Sequence, residues 1–432
     1  MTGKTVQKTA ALRHAGRDWR VPYLPVGSPA GAADIEAVTS VLGSGETLSG
    51  GAWRQRFEDD FRAYAGTPHA MSVTSGTVAL ELAIHLLGLR PGDEVVVTPQ
   101  TYQATIQPLL RHPEVAVRFC DVRPDTLNMD PEHLRTLVGD RTRAVILVHY
   151  GGLPAEMDEI TAIARAHGAL VVEDSAHALG SSYHGRRPGS LADLGCFSFH
   201  SSKNVTTLGE GGMLTFSDAG WAERVERLRG NEADARYSPR ARRFGTSAEA
   251  FPGALYPGLA YTHDCLAVLR PGTNATLSEA AAAMGVTQLR SLPEFVARRR
   301  AIAARLTEVL AEYPGVIEVP REPDGVVQSN HLFTFFVRQG GGIARDRLLH
   351  ELAERGVQVP VRYFPLHLTP EWRSRGHRFG ECPVAEHLWF HEQMNLPCHP
   401  GLSDKQIDLL GELLADALAA AARTPGAEGS PC

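Results

Sequence analysis

Long apolar runs are missing from this chain. No stretch approaches the roughly 20 residues that span a bilayer, so a membrane partner is not expected. Residues 1–20 are polar and basic and lack the apolar core of a secretory leader. Cysteine is sparse: Cys120, Cys196, Cys265, Cys382, Cys398 and Cys432 are scattered, with no C-x-x-C pair. In a chain of 432 residues that scatter reads as reduced thiols in the cytoplasm, not as a disulfide framework. The 18 histidines form no H-E-x-x-H and no zinc-spaced cluster, so no metal site is expected. The nucleophile elbow G-x-S-x-G and a phosphate loop ending in Gly-Lys-Ser/Thr are also absent. Nor is there an excess of positive charge. A formal net charge of −6 gives no reason to expect a nucleic-acid partner. The basic triplet Arg298-Arg299-Arg300 lies in a helical pattern and reads as a solvated face.

What is present is an ordinary globular composition, 43% hydrophobic and 21% charged, in a chain long enough for two domains. From about residue 34 helix and strand patterns alternate. Strands are expected at 70–73, 94–97, 115–119, 144–148, 170–172 and 194–199. Helices are expected at 34–42, 54–64, 77–87, 102–110, 131–138 and 156–167. Short continuous apolar strands between helices predict an α/β fold, with a mainly parallel sheet covered on both faces. Residues 236–272 break the pattern with Pro, Gly, Tyr and Arg and read as a long functional loop. Helices resume at 278–289 and 293–312. A smaller α/β region follows, with strands at 331–337 and 357–361 and helices at 345–355, 384–392 and 404–421. The expected division is an N-terminal segment 1–33, a large domain 34–300, a small domain 301–421 and a disordered tail 422–432.

In such sheets ligands bind beyond the C-terminal ends of strands. Three groups fall there. Lys203 follows Phe197-Ser198-Phe199 and precedes Gly209-Glu210-Gly211-Gly212. A lone lysine is most often a surface residue, but these flanks bring glycine backbone close to a ligand. Asp174 ends the run Val171-Val172-Glu173; it fits either an N-cap or salt bridge, or a partner for a protonated ring nitrogen. Ser75-Gly76-Thr77 stands where a strand turns into a helix, which suits a phosphate as well as an ordinary N-cap. An amine, an acid and a phosphate cradle are what pyridoxal phosphate requires. Ser198 is a candidate second hydroxyl for the phosphate. Tyr102 is either a ring that stacks on the pyridine or a core aromatic. His177, three residues after Asp174, is either a partner for that acid or the ring hydroxyl, or a core histidine.

Taken together, Ser75-Gly76-Thr77-Val78-Ala79-Leu80, Pro91-Gly92-Asp93-Glu94-Val95, Glu173-Asp174-Ser175-Ala176-His177, Lys203-Asn204, Gly209-Glu210-Gly211-Gly212 and Tyr363-Phe364-Pro365-Leu366-His367 are specific. The chain resembles the DegT/StrS aminotransferases, fold type I enzymes that act on sugars and aminocyclitols with pyridoxal phosphate. The resemblance runs from about Val21 to Ala421. It implies that Lys203 bonds the cofactor aldehyde and that Asp174 holds the pyridine nitrogen. It places Gly76, Thr77 and Ser198 on the phosphate, Tyr102 over the ring and His177 near the ring oxygen. Asn274 would reach the phosphate of a partner subunit, which implies a homodimer with shared sites. His331 and His367 would lie near the substrate pocket. Thr276 departs from an arginine common in the family.

The implied activity is amino transfer from glutamate or glutamine to a keto group of a nucleotide-linked sugar or cyclitol. The reaction would be ping-pong, through pyridoxamine phosphate, in glycan or antibiotic biosynthesis. Two alternatives stand beside it. One is other chemistry with the same cofactor, such as deoxysugar dehydration or aromatic amine formation. Relatives that dehydrate typically carry histidine at the position of Lys203, which argues against it. The other is a cofactor-binding regulator without turnover.

Overall fold

The structure, a computed structural model, describes residues 19–23, 26–231 and 272–423. The expected loop at 236–272 lies outside the described residues, apart from Gly272. The centre of the molecule is a seven-stranded mixed sheet: β1 (His69–Val73), β2 (Glu94–Val97), β3 (Ala116–Phe119), β4 (Thr142–Val148), β5 (Leu170–Asp174), β7 (Leu194–Ser198) and β8 (Gly212–Phe216), in the order β1-β8-β7-β5-β4-β2-β3, while β6 (Ser182–Tyr183) pairs apart from it with β10 (Val326–Val327). The pairs among β3, β2, β4, β5 and β7 are parallel. Only β8 is reversed, pairing antiparallel with both β7 and β1.

That reversal decides where the site forms. Because β1 and β7 both oppose β8, they run the same way. The C-terminal ends of β1, β5 and β7 therefore meet on one edge, and β8 starts there at Gly212. Val95, Val97, Ile146, Val172, Leu194 and Leu214 form the core of one sheet face, and Val96, Val145, Leu147 and Val171 that of the other. This two-sided burial is why these strands read as unbroken apolar runs.

A smaller antiparallel sheet holds β11 (Phe333–Val337) between β9 (Ile317–Glu318) and β12 (Gln393–Leu396). The strand expected at 357–361 does not form. Val357 makes a single bridge to Val21, and residues 358–363 leave the sheet around Pro360, which has no N–H to give a ladder. The helix expected at 102–110 is two short 3₁₀ turns, Gln103–Thr105 and Gln107–Arg111. The two helices expected at 278–289 and 293–312 are one, Glu279–Leu310, with Pro293 inside it. Cutting the chain at residue 300 would divide this helix. Val296 packs with Phe57 and Phe61 against the main sheet, and Ile302 and Leu306 pack with Phe333 and Phe335 of the smaller one. The last helix, Asp404–Arg423, runs two residues into the expected tail.

The basic triplet is only in part a solvated face: Arg298 and Arg300 are partly exposed, but Arg299 is buried, 1% exposed. Its guanidinium donates to the carbonyls of Gly27 (2.6 Å), His331 (3.2 Å) and Cys398. Periodicity placed it on a helix but did not show that three loop carbonyls surround that face. Gly27 in turn lies against the lysine loop: its N–H donates to the Ser201 carbonyl at 2.7 Å. A Cβ there would sit 2.1 Å from the Ser202 carbonyl oxygen and 2.4 Å from that of Lys203.

Arg299 thus ties the long helix, the N-terminal segment and β11 together. Arg299→Ala leaves buried carbonyls unpaired and is expected to lower stability by about 3 kcal/mol. The shift of the urea unfolding midpoint measures it; an unchanged midpoint would mean these bonds contribute nothing.

Candidate active site

A cleft of about 650 Å³ opens at the shared strand edge. Ser75, Gly76, Thr77, Tyr102, Asp174, His177, Ser198 and Lys203 all line it. Alternation along β5 separates the two adjacent acids. Glu173 is fully buried and takes the N–H groups of Leu191 (2.9 Å) and Ala192 (3.0 Å), with His149 Nε2 at 2.8 Å. It is committed to structure. Asp174 faces the cleft. Its Oδ2 accepts from the Thr105 hydroxyl at 2.7 Å and its Oδ1 from the Ala176 N–H at 3.0 Å. Burial pushes the Asp174 carboxyl up, against those two bonds and the charge of Lys203, which pull it down.

Lys203 stands in the loop between β7 and β8, its N–H bonded to the His200 carbonyl at 2.8 Å. Burial lowers its amine to about 8, opposed by Asp174 and assisted by the positive charge of Arg362. A substantial fraction is therefore neutral, and nucleophilic, near physiological pH.

The phosphate cradle is built from close backbone contacts. Ser75 caps the helix Gly76–Leu86, its hydroxyl accepting from Val78 N–H at 3.2 Å. The amides of Gly76 and Thr77 have no carbonyl to bond inside the helix and lie at its positive end. A Cβ on Gly76 would meet the Ser198 Cβ at 2.7 Å, and one on Gly212 would meet the Ser75 carbonyl oxygen at 2.4 Å. Both glycines are there for that approach. The capping and anion-binding readings of Ser75 are compatible: it caps the helix while lining the cleft.

Tyr102 is 53% exposed, so it is not a core aromatic; it edges against Tyr363 at the cleft, centroids 6.1 Å apart. His177 is buried and stacks between His331 (4.4 Å) and Tyr363 (5.8 Å). Its Nε2 lies 3.3 Å from the Tyr363 hydroxyl, and its Nδ1 has no protein partner. Burial and the nearby positive charges of Lys203 and Arg362 hold it neutral.

His331 does not line the cleft. It backs His177, and its Nδ1 meets Asn204 Oδ1 at 3.0 Å, while Asn204 Nδ2 donates to the Leu179 carbonyl. It thereby positions the residue after Lys203. His367 is not at the cleft either. It is fully buried, bonded to Glu386 at 2.7 Å and packed on Phe119. A histidine with a buried carboxylate partner close in sequence is a structural ion-pair candidate, and local pattern does not distinguish that from a pocket position. Asn274 is exposed, in a bridge with Gly230, and outside the cleft of its own chain. Reading the sequence left Tyr23, Thr105, Gln358 and Arg362 without roles. Of these only Thr105, close after Tyr102, had a signal in the sequence.

The arrangement fits pyridoxal phosphate. A reactive amine, an acid with lone pairs toward the cleft, helix amides for a phosphate and a buried orphan nitrogen at His177 surround one space. Among the described residues no group of three or more metal-ligating side chains occurs, and no helix is long and apolar enough to cross a membrane.

Residues 30–414 match the DegT/DnrJ/EryC1/StrS aminotransferase family, and the chain belongs to it. It is 34% identical over 398 residues to the spore coat polysaccharide biosynthesis protein SpsC of Bacillus subtilis, covering 91% of this chain and 97% of that one. It is 32% identical over 381 residues to the dTDP-4-dehydro-2,3,6-trideoxy-D-glucose 4-aminotransferase of Saccharopolyspora spinosa, covering 87% and 92%. The crystal structure of S. venezuelae DesV in complex with a ketimine intermediate superposes with a TM-score of 0.76 at 32% identity, covering 89% of this chain and 94% of that one. The chain is an aminotransferase of the sugar-aminating type, with the α/β fold of its family and pyridoxal phosphate as its cofactor.

The depressed lysine is directly testable in cofactor-free protein. Capture of the cofactor aldehyde should speed up as pH rises through about 8 and level off above it. An unperturbed lysine would keep accelerating toward about 10.4. Stopped-flow absorbance after mixing gives the profile.

Proposed function

We propose that this chain moves an amino group from glutamate or glutamine to a keto group of a nucleotide-linked sugar or cyclitol, in two half-reactions at one site. The observation that carries this reading is the convergence of Lys203, Asp174 and His177 on a single cleft with the Gly76 helix end. The names of the relatives support the acceptor class: one acts on a dTDP-linked deoxysugar.

When bound, pyridoxal phosphate supplies a carbonyl for the incoming amine and an electron-withdrawing ring. The residues do the rest. Asp174, steadied by Thr105 and Ala176, keeps a proton on the ring nitrogen. The Gly76 and Thr77 amides and the Ser198 hydroxyl would hold the phosphate. Tyr102 would cover the ring, and His177 Nδ1, which has no protein partner, would be available to the ring oxygen. Lys203 Nζ, its amine depressed by burial, would take a proton from the donor carbon and deliver it to the former aldehyde carbon of the cofactor within the first half-reaction, and would run the same transfer in reverse in the second.

The working unit is a homodimer in the cytoplasm, with Asn274 serving the partner's phosphate site. Its exposure on its own protomer supports that role. A place in antibiotic or cell-surface glycan biosynthesis follows from the acceptor class.

Purified protein should absorb visible light. Lys203→Ala should lose amino transfer to background, read as transfer of labelled nitrogen from glutamate or glutamine to a panel of nucleotide-linked keto-sugars. Asp174→Ala should cut it by at least about 100-fold while still binding the cofactor. Full activity in Lys203→Ala would end this reading.

A further inference from the structure

Among the charged side chains lining the cleft, Arg362 has no use in the chemistry above. We propose that Arg362 is a donor-specificity residue: its guanidinium receives the α-carboxylate of the amino acid that supplies nitrogen. This rests on the reading that the donor is glutamate or glutamine, both of which carry that group.

The arginines that structure this protein are paired. Arg229 bonds Glu58 at 2.6 Å and Arg338 bonds Glu392 at 2.6 Å. Arg299 is held by carbonyls. Arg362 has no carboxylate partner among the described residues. It lies instead against aromatic faces, its guanidinium carbon 4.8 Å from the Tyr23 ring centroid and 5.8 Å from that of Tyr363. Rings hold a guanidinium in place through cation–π attraction; a side-chain hydrogen bond to Tyr363 engages part of the fork, and the remaining N–H donors have no carboxylate among the described residues. A planar fork without an anion matches a carboxylate, two parallel bonds at once.

The setting is built. The Arg362 N–H donates to Asn395 Oδ1 at 3.0 Å, and its carbonyl accepts from the Tyr150 hydroxyl and Gln393 Nε2. Tyr23 is fixed as well. Val21 bridges to Val357, and the Tyr23 N–H donates to Gln358 Oε1 at 2.9 Å. The N-terminal segment thus contributes one ring to the cleft and Val357–Tyr363 the other. The cleft's own carboxylates do not reach this fork: Asp174 is bonded to Thr105 and Ala176, and Glu210 faces His200 at 3.9 Å.

The donor fits better than the acceptor. The positive charge of Arg362 is felt at both Lys203 and His177, so an anion it binds sits close to the reacting amine. In an α-amino acid the carboxylate is on the very carbon that bears the nitrogen. In a nucleotide-linked sugar the diphosphate is separated from a ring ketone by the sugar itself.

The experiment compares wild type, R362Q and R362K, all loaded with cofactor and checked for unchanged visible absorbance. L-Glutamate and L-glutamine are titrated in the first half-reaction, nucleotide-linked keto-sugar in the second, and glutarate binding is followed by calorimetry as a readout independent of turnover. R362Q should raise the donor KM about 100-fold or more, as expected for a lost bidentate charge pair, and weaken glutarate in parallel. The acceptor KM should stay put, and R362K should recover part of the loss. An unchanged donor KM in R362Q overturns the assignment. A rise confined to the acceptor gives the fork to the diphosphate and also overturns it. If no amino acid reacts with the wild type, the donor reading itself has failed and takes this inference with it, a result distinct from both.

Discussion

The structure depends on keeping an acid ionised where burial disfavours it. Asp174 has lost most of its water, and its carboxyl is pushed up for that reason. The Thr105 hydroxyl, the Ala176 amide, the positive charge of Lys203 and, last, His149 work against that. A protonated pyridine nitrogen would add a full charge at the same place. On the proposed pairing the cofactor and the acid would stabilise each other: one would remain cationic because the other remains anionic. Lys203 belongs to the same balance. Burial lowers its amine, and Asp174 limits how far. In the proposed holoenzyme a protonated ring nitrogen would add to the support that the Lys203 charge gives Asp174.

Holding these groups in register is a backbone problem solved by glycine. Three chain segments that are far apart in sequence touch at the site with no room for a β-carbon. Gly76 lies on Ser198, Gly212 on Ser75, and Gly27 on the Ser202 and Lys203 carbonyls. The first two join the ends of β1, β7 and β8. The third attaches the N-terminal segment, and Arg299 secures that segment from behind. The same segment then carries Tyr23 to the cleft. Cofactor site and substrate mouth are thus mechanically continuous.

The sequence made the cofactor residues legible and left the substrate side obscure, for a physical reason. Lys203, Asp174 and Ser75 each follow a strand, and strand ends are visible as apolar runs that stop. Lysine scarcity sharpens the first: the chain has four lysines, and none but Lys203 lies between Lys8 and Lys405. Arg362 and Tyr23 are positioned by pairing between residues more than 300 apart, Val21 with Val357, and no local periodicity reports that. His367 shows the converse. The family resemblance placed it near the substrate pocket, but a bond to Glu386 makes it structural. Arg299 was misplaced in the same manner, because helical periodicity does not show which loops will cover a face.

These two arginines mark the difference between structural and recognition charge in this protein. Arg299 has both terminal nitrogens on carbonyls and is sealed from solvent, so it can stiffen the molecule but does not face a ligand. Arg362 is half-buried, steadied by two ring faces and a hydrogen bond to Tyr363, and opens on the space beside Lys203. Aromatic support costs a guanidinium little of its hydrogen-bonding capacity, whereas a carboxylate partner would occupy the fork. On the proposed reading, in which donor and acceptor enter one site in turn, such a cation would bind the anionic donor firmly, then face an uncharged sugar ring without leaving a buried carboxylate unpaired.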